Sequence, residues 1–125
     1  MEYVKSFRDL EVYKLSRAVS KEVFLLSLEF PKEEKYSITD QIRRSSRSVG
    51  AQIAEAWGKR SYINHFVSKL TDADAEQLET QHWLEVSQEC GYIGKEEALT
   101  IIQKCESIGK MIHSMIEKAS LFCKT

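Results

Sequence analysis

Apolar side chains recur at steps of three and four residues along most of this chain, which is the spacing of one face of an α-helix. The clearest case lies towards the C-terminal end, where steps of four and three residues alternate as in a heptad seam. Its members are Ile101, Cys105, Ile108, Ile112, Met115, Ala119 and Phe122. The pattern predicts an amphipathic helix that buries this seam.

A first helix is predicted to begin near Asp9 and to end at Phe30. Pro31 follows it, and the residue before a proline is disfavoured in the helical region, so the proline marks the stop. The face predicted to be buried consists of Val12, Leu15, Val19, Val23, Leu26 and Phe30.

A second helix is predicted from Ser37, where the sequence SITD offers a capping hydroxyl and an acid three residues later. Gly58 is its predicted C-cap. Serine and alanine are frequent on its inner face, which allows a neighbouring helix backbone to approach closely. That face consists of Ile38, Ile42, Ser45, Val49, Ile53 and Ala56.

A third helix is predicted to run from Ser61, as its cap, to Cys90, with Gly91 as the C-cap. Its apolar face consists of Ile63, Phe66, Val67, Leu70, Ala73, Leu78 and Leu84. Polar residues fall on the same face in its C-terminal half, and such a stripe either borders solvent or forms a hydrogen-bonded seam with a partner. The candidate oligomer interface is therefore Asp74, Gln77, Gln81, Glu85 and Gln88.

Four long amphipathic helices joined by short connections predict an all-α fold, an antiparallel up-down-up-down four-helix bundle. One domain spanning residues 1–125 accounts for the whole length. A single proline and five glycines agree with few, long helices.

The cytoplasm is the default location expected for this chain. The N-terminus lacks the basic-then-apolar layout of a secretory signal, and the longest apolar stretch, VFLLSLEF, is too short to span a bilayer, so no membrane partner is expected. Cys90, Cys105 and Cys123 form no CxxC pair, which indicates reduced, structural cysteines.

Candidate catalytic chemistry is sparse. Glu79 and His82 form one Glu-x-x-His pair, whereas a di-metal site in a helical bundle needs two such pairs and two further carboxylates. No phosphate loop, dinucleotide fingerprint, nucleophile elbow or paired acid constellation occurs in the sequence. We therefore expect no metal, no cofactor, no small-molecule substrate and no enzymatic activity.

Charge is unevenly distributed along the chain, although the formal net charge is only −1. Residues 37–61 carry five basic and two acidic side chains, whereas residues 72–97 carry one lysine and eight acids. Such segregation is typical of a steered binding surface or of two faces that pair between subunits. The candidate nucleic-acid-binding residues are Arg43, Arg44 and Arg47, opposite the inner face of the second helix, with Lys59 and Arg60 at its end.

The chain resembles the four-helix bundle proteins encoded within intervening sequences of bacterial 23S ribosomal RNA genes, over residues 7–115. The resemblance rests on FRDLEVYKLS, FPKEEKYSITDQIRRSSRSVGAQIAEAWGKRS, ETQHWLEVSQECGYI and IGKMIHSM. It implies a ring-like homopentamer, and kinship with the accessory protein of diversity-generating retroelements, a basic barrel that binds nucleic acid and a reverse transcriptase. Carried onto this sequence, it implies phosphate contacts by the same five basic residues.

Two functions remain open at this point. In the first, a non-enzymatic oligomer binds RNA, or a complex that contains RNA, through the arginines of the second helix. In the second, the protein is a self-assembling scaffold or protein-interaction module, and those arginines pack near the acidic half of a neighbour's third helix. The retroelement proteins are markedly basic, whereas this chain is close to neutral.

Overall fold

The computed structural model describes residues 4–123, in which every regular element is helical. Two single-turn 3-10 helices, Phe7–Asp9 and Lys32–Glu34, accompany the α-helices. The predicted domain also includes residues 1–3 and 124–125, which lie outside the described part. The α-helices are α1 (Glu11–Ser27), α2 (Ile38–Gly58), α3 (Ile63–Glu89), α4 (Lys95–Glu117) and the short α5 (Ala119–Phe122).

The four long helices surround one core. α2 packs against α1 and α3, and α4 packs against α3 and α1, so each long helix has two neighbours within the described residues. Their apolar stripes meet in a single buried cluster. The prediction of an all-α fold with four long, packed helices is confirmed.

Two of the predicted faces match the structure closely. All six residues of the predicted inner face of α2 are buried, and so are the first six members of the C-terminal seam. The seventh member, Phe122, is half-buried and lies on α5, because the helix is interrupted at Lys118. Its ring stacks on Phe66 with a centroid distance of 5.7 Å.

The predicted ends of the first helix are wrong. Leu10 has extended backbone angles and separates Asp9, in a 3-10 helix, from α1. At the other end α1 stops at Ser27, because the backbone N–H groups of Leu28, Glu29 and Phe30 donate to carbonyls three residues earlier. The α-helix thus ends in a tightened last turn, three residues before Phe30, the residue that precedes Pro31.

Three predicted caps also need correction. Ser37 precedes α2 but its side chain makes no capping hydrogen bond, and α3 starts at Ile63 after Tyr62, so Ser61 does not cap it. Gly58 is the last helical residue of α2 and does not have a positive φ. Gly91 does adopt the left-handed conformation, with φ of 79°, as the prediction for that glycine requires.

The buried face of α3 differs from the predicted one. Ile63 and Leu78 are 45% and 55% exposed, and Glu85 is exposed as well. Polar side chains replace them in the core. Gln77 and Thr80 have hydrogen-bond partners there, and the hydroxyls of Thr80 and Ser45 lie 2.9 Å apart. The buried hydroxyl of Ser87 has no partner among residues 4–123. The residues that are buried follow regular steps of four and three: Phe66, Leu70, Ala73, Gln77, Thr80, Leu84 and Ser87.

Gly109 of α4 makes room for the buried amide of Gln77. Gln77 is 4% exposed, donates to Asp74 Oδ1 at 2.9 Å and accepts from Gln81 Nε2 at 2.8 Å. A Cβ atom at position 109 would lie 2.8 Å from Gln77 Nε2. The contact between α3 and α4 therefore depends on the missing side chain at this position.

We expect Gly109→Ala to lower the free energy of unfolding by up to about 2 kcal/mol, because the new methyl group displaces Gln77 from its hydrogen bonds and this cost exceeds the gain from a less flexible unfolded chain. Gly58→Ala is the matched control. A Cβ atom there meets nothing within 4 Å. This variant should therefore be more stable by about 0.4–1 kcal/mol, because alanine reduces the conformational entropy of the unfolded chain. Urea unfolding of both variants measures the difference, and equal stabilities would contradict the close packing at Gly109.

Candidate nucleic-acid interface

A surface groove runs from Lys35, in the connection before α2, over the first three turns of α2. Four-residue steps place Thr39, Arg43 and Arg47 in one row along α2, and Asp40 and Arg44 in the adjacent row. We call it the α2 groove, and its lining residues are Lys35, Tyr36, Thr39, Asp40, Arg43, Arg44 and Arg47.

Arg43 and Arg47 lean towards α1 and share one aromatic ring. Their guanidinium carbons lie 4.9 Å and 5.6 Å from the ring centroid of Phe24. Arg43 Nε also donates to Ser27 Oγ at 2.7 Å, and that hydroxyl donates to the Phe24 carbonyl. Neither arginine forms an ion pair with a carboxylate of residues 4–123, so both positive charges remain available to a partner.

Arg44 faces the other way and ties α2 to α3. It donates to Glu79 Oε2 at 2.5 Å and to Glu76 Oε2 at 3.3 Å. The hydrogen bond to Glu79 is the main reason that the pKa of Arg44 is raised. Two carboxylates thus offset the charge of Arg44.

Glu79 also accepts from the Trp83 indole, at 3.0 Å. Burial favours a higher pKa for Glu79. The hydrogen bonds from Trp83 and Arg44, together with the positive charge of Arg44, outweigh burial, so the pKa of this carboxyl is lowered. Glu79 is therefore an ionised anchor between the two helices at neutral pH.

The five predicted basic residues do not form one patch. Lys59 lies 16 residues after Arg43, which is about 24 Å along a helix axis. Arg60 lies against Trp57, with its guanidinium carbon 3.6 Å from the ring centroid, and Arg60 Nε donates to the Trp57 carbonyl at 2.8 Å. Lys59 and Arg60 therefore belong to the opposite end of α2.

Sequence reasoning missed Arg17 on α1. Its guanidinium donates to the Tyr13 hydroxyl at 2.9 Å, and it lines a second groove between α1 and α2 that also includes Arg47. The four-residue step from Tyr13 to Arg17 was the available signal, because such pairs lie side by side on a helix. Arg17, Arg47 and Arg43 follow the seam between α1 and α2, and we call these three residues the arginine track.

Two more residues of the α2 groove were not singled out by the sequence. Thr39 is 7% exposed, and its hydroxyl oxygen is buried with no hydrogen-bond partner among residues 4–123. Tyr36 lies in the connection before α2 and is 85% exposed. The groove thus combines free cations, an open aromatic ring and a buried hydroxyl without a partner.

The predicted oligomer interface on α3 is also divided. Asp74, Gln77 and Gln81 line a groove between α3 and α4, where Asp74 Oδ2 lies 3.2 Å from Nε2 of His113. Glu85 is exposed and Gln88 half-buried, and neither lines that groove. From α4, the carboxylates of Glu106 and Glu117 line this groove together with the ammonium group of Lys110.

The Glu-x-x-His pair has other partners. Arg44 and Trp83 bind Glu79, whereas His82 is exposed and lies edge-on to Trp83 at a centroid distance of 4.7 Å. In residues 4–123, no three His, Cys, Asp or Glu side chains are grouped as a metal site requires.

All three cysteines have free thiols. Burial raises the pKa of Cys105 to about 12, and it also raises the pKa of Cys123. Cys90 is exposed. Within the described part of the chain, no helix has the length and apolar character needed to cross a membrane.

Comparison with known proteins identifies the family of this chain. The model of the 23S rRNA-intervening sequence protein family matches residues 8–114, which is most of the chain. The chain belongs to this family. The four motifs on which the resemblance rests lie almost wholly within the matched residues.

A similar fold is found in the crystal structure of a protein of unknown function, from the S23 ribosomal protein family of Bacteroides thetaiotaomicron. The two chains are 32% identical, with a TM-score of 0.77 over 85% of this chain and 95% of the other. A comparison with curated proteins gave no match.

The lowered pKa of Glu79 predicts an acid-sensitive contact between α2 and α3. A depressed folded-state pKa contributes stability above the ordinary value of 4.5, and this contribution is lost as the pH falls through the lowered pKa. Glu79→Gln should therefore reduce the difference in unfolding free energy between pH 7 and pH 3. Glu85→Gln, on an exposed residue of the same helix, is the control and should leave that difference unchanged.

Proposed function

We propose that this member of the family is a non-catalytic, homo-oligomeric protein of the cytoplasm that binds RNA through the arginine track. The observation that carries the proposal is the row of Arg17, Arg47 and Arg43 along one seam. All three contact aromatic rings, and none pairs with a carboxylate in residues 4–123.

Stacking of this kind suits phosphate binding. An aromatic ring holds the flat face of a guanidinium and leaves N–H groups at its edge for an anion. Phosphate oxygens accept such charge-assisted bonds in a bidentate manner. The family's name, which refers to an intervening sequence of 23S rRNA, supports RNA as the nucleic acid.

The order of contacts supports the up-down-up-down topology. Arg44 pairs with Glu79, whereas Lys69 pairs with Glu55. Residues later in α2 thus contact residues earlier in α3, as in an antiparallel pair of helices. The contacts of Arg43 with Ser27 and of Gly50 with Ser16 follow the same rule for α1 and α2. For α3 and α4, Gly109 meets Gln77 and His113 meets Asp74.

Replacing Arg43 and Arg47 together by alanine should weaken RNA binding by about tenfold or more in low salt, because two phosphate contacts are lost. Each lost phosphate contact should also reduce the slope of log affinity against log salt, by roughly 0.7 for a single strand. Fluorescence anisotropy of a labelled RNA at several NaCl concentrations measures both effects.

The matched control for this variant is Lys110→Ala with Lys118→Ala, which removes the same charge from exposed positions on and just after α4. The control should keep the affinity and the slope of the wild type. Equal losses in the two variants would show that RNA responds to net charge alone, and would contradict a specific role for the track.

A second candidate function is the self-assembling scaffold, and the segregation of charge favours it. The arginine track lies between α1 and α2, whereas Asp74, Glu106 and Glu117 line the groove between α3 and α4. Opposite charges on two different surfaces of one chain suit a head-to-tail interface, which closes into a ring when the rotation permits. The predicted homopentamer would be one such ring.

The scaffold predicts that Glu106→Lys combined with Glu117→Lys breaks assembly, because the neighbour's arginine track would then meet lysines. Sedimentation analysis should show a fall towards the mass of a single 14.4-kDa chain. The RNA-binding proposal with another interface predicts an unchanged mass. Loss of assembly in the Arg43 and Arg47 double variant would likewise favour the scaffold.

A further inference from the structure

The α2 groove has features that phosphate binding alone does not need. We propose that it holds one unpaired nucleotide of an RNA strand, with the base on Tyr36, the phosphate on Arg43 and Arg47, and a hydrogen bond to the Thr39 hydroxyl. This inference rests on the proposed function and narrows its ligand from RNA in general to RNA with an unstacked base.

Tyr36 supplies the surface for the base. Its ring is 85% exposed, and Lys35 Nζ lies 5.3 Å from the ring centroid. Stacking on aromatic side chains is the usual way in which proteins hold unpaired bases, and every base offers a face for it. Tyr36 lines the same groove as the two arginines, so a base and its own phosphate can be bound together.

Arg43 and Arg47 form a prepared phosphate site. They lie one helical turn apart, and both guanidinium groups contact Phe24. Ser27 holds Arg43 Nε, so the terminal nitrogens of Arg43 are the ones left for a ligand. Contact with the same ring restricts both guanidinium groups before a ligand binds, which lowers the conformational entropy lost on binding.

Thr39 is the observation that points to a ligand independently of charge. It lines the groove, is more than nine-tenths buried, and its hydroxyl has no hydrogen-bond partner in residues 4–123. Buried hydroxyls are normally paired, and those that are not require an explanation. The oxygen is shielded from solvent, so a rotation of the Thr39 side chain about χ1 is needed to present it to the groove. A ligand there then supplies the missing partner through a phosphate oxygen or a ribose hydroxyl.

Asp40 distinguishes a nucleotide from a bare phosphate. Its exposed carboxylate lies on the lining, one helical turn before Arg44, and a carboxylate accepts hydrogen bonds without donating any. A phosphate diester has no donor to offer it, whereas a base N–H or a ribose 2′-hydroxyl does. The lining therefore offers N–H donors for a phosphate and a carboxylate acceptor for a base or ribose donor, and a nucleotide carries both kinds of group.

Base pairing would remove this mode of binding. A paired base keeps both faces stacked inside the duplex, where Tyr36 cannot reach them. The arginine track still binds duplex phosphates, so the two kinds of RNA should differ in their dependence on Tyr36 and not in their dependence on Arg43 and Arg47.

The test uses the whole chain and three labelled probes: a mixed-sequence single-stranded RNA, a blunt duplex of the same sequence and a mononucleotide. Tyr36→Leu should weaken single-strand binding about 5- to 150-fold, the range that base stacking supplies, and should leave duplex binding unchanged. Tyr36→Phe should retain single-strand affinity. The matched control is Tyr62→Leu, an exposed tyrosine before α3, which should change neither.

Thr39→Val gives a second and independent measurement. In the free protein the variant should melt at a higher temperature, because it removes a buried hydroxyl that has no partner. It should nevertheless bind the single strand less tightly. A merely structural threonine would not move these two readouts in opposite directions.

The possible outcomes separate the inference from the proposed function. If Tyr36→Leu leaves single-strand binding intact while the Arg43 and Arg47 double variant loses both RNAs, the inference falls and the proposed function stands. A mononucleotide that binds as tightly as the strand would overturn the assignment to an RNA strand. Wild-type protein that binds neither RNA overturns both.

Discussion

The rotation of α2 about its own axis decides which arginines remain free, and contacts with α3 fix that rotation. The hydroxyls of Ser45 and Thr80 meet in the core at 2.9 Å, and both residues are fully buried. Thr80 also donates to the Glu76 carbonyl of its own helix, and Ser45 lies within reach of the Ile42 carbonyl. The contact between the two hydroxyls is therefore an additional bond across the interface, which a slip of one helix would lose. Arg44, the residue before Ser45, is thereby directed to Glu76 and Glu79 on α3.

The same rotation turns Arg43 and Arg47 towards α1. Residues 43 and 44 are adjacent in the sequence, yet about 100° apart around the helix. One therefore reaches Phe24 and Ser27 on α1, and the other reaches carboxylates on α3. A double arginine on a bundle helix is thus divided between two neighbours: one member closes an ion pair, and the other keeps its charge.

Much of this fold could be predicted from periodicity, and the exceptions have a common physical cause. The seam of α4 and the inner face of α2 were identified because apolar or small residues occupy them at helical steps. On α3 the rule chose Leu78, whereas Gln77 is the residue that is buried. A hydrophobicity pattern cannot reveal that Gln77 has hydrogen-bond partners in Asp74 and Gln81. Nor can it reveal that Gly109, which has no side chain, leaves room for the Gln77 amide.

The candidate site could be predicted only in part, for a related reason. A charge count along residues 37–61 treats five cations as equivalent, but the carboxylate that offsets Arg44 lies 35 positions away on another helix. Arg17 and Phe24 lie on α1, so no window on α2 contains them. Thr39 was hidden because a missing hydrogen bond is a property of the packed structure.

In the proposed functions, the side chain of Arg43 serves both the packing of the fold and the binding of a partner. Its Nε and the face of its guanidinium are used within the fold, by Ser27 and Phe24. Its terminal nitrogens are the part left for an anion, and they are held in place by those same contacts. A lysine has neither a planar group to stack nor a second set of donors. Both proposed functions therefore require a guanidinium at this position, whether the anion is RNA or another copy of the chain.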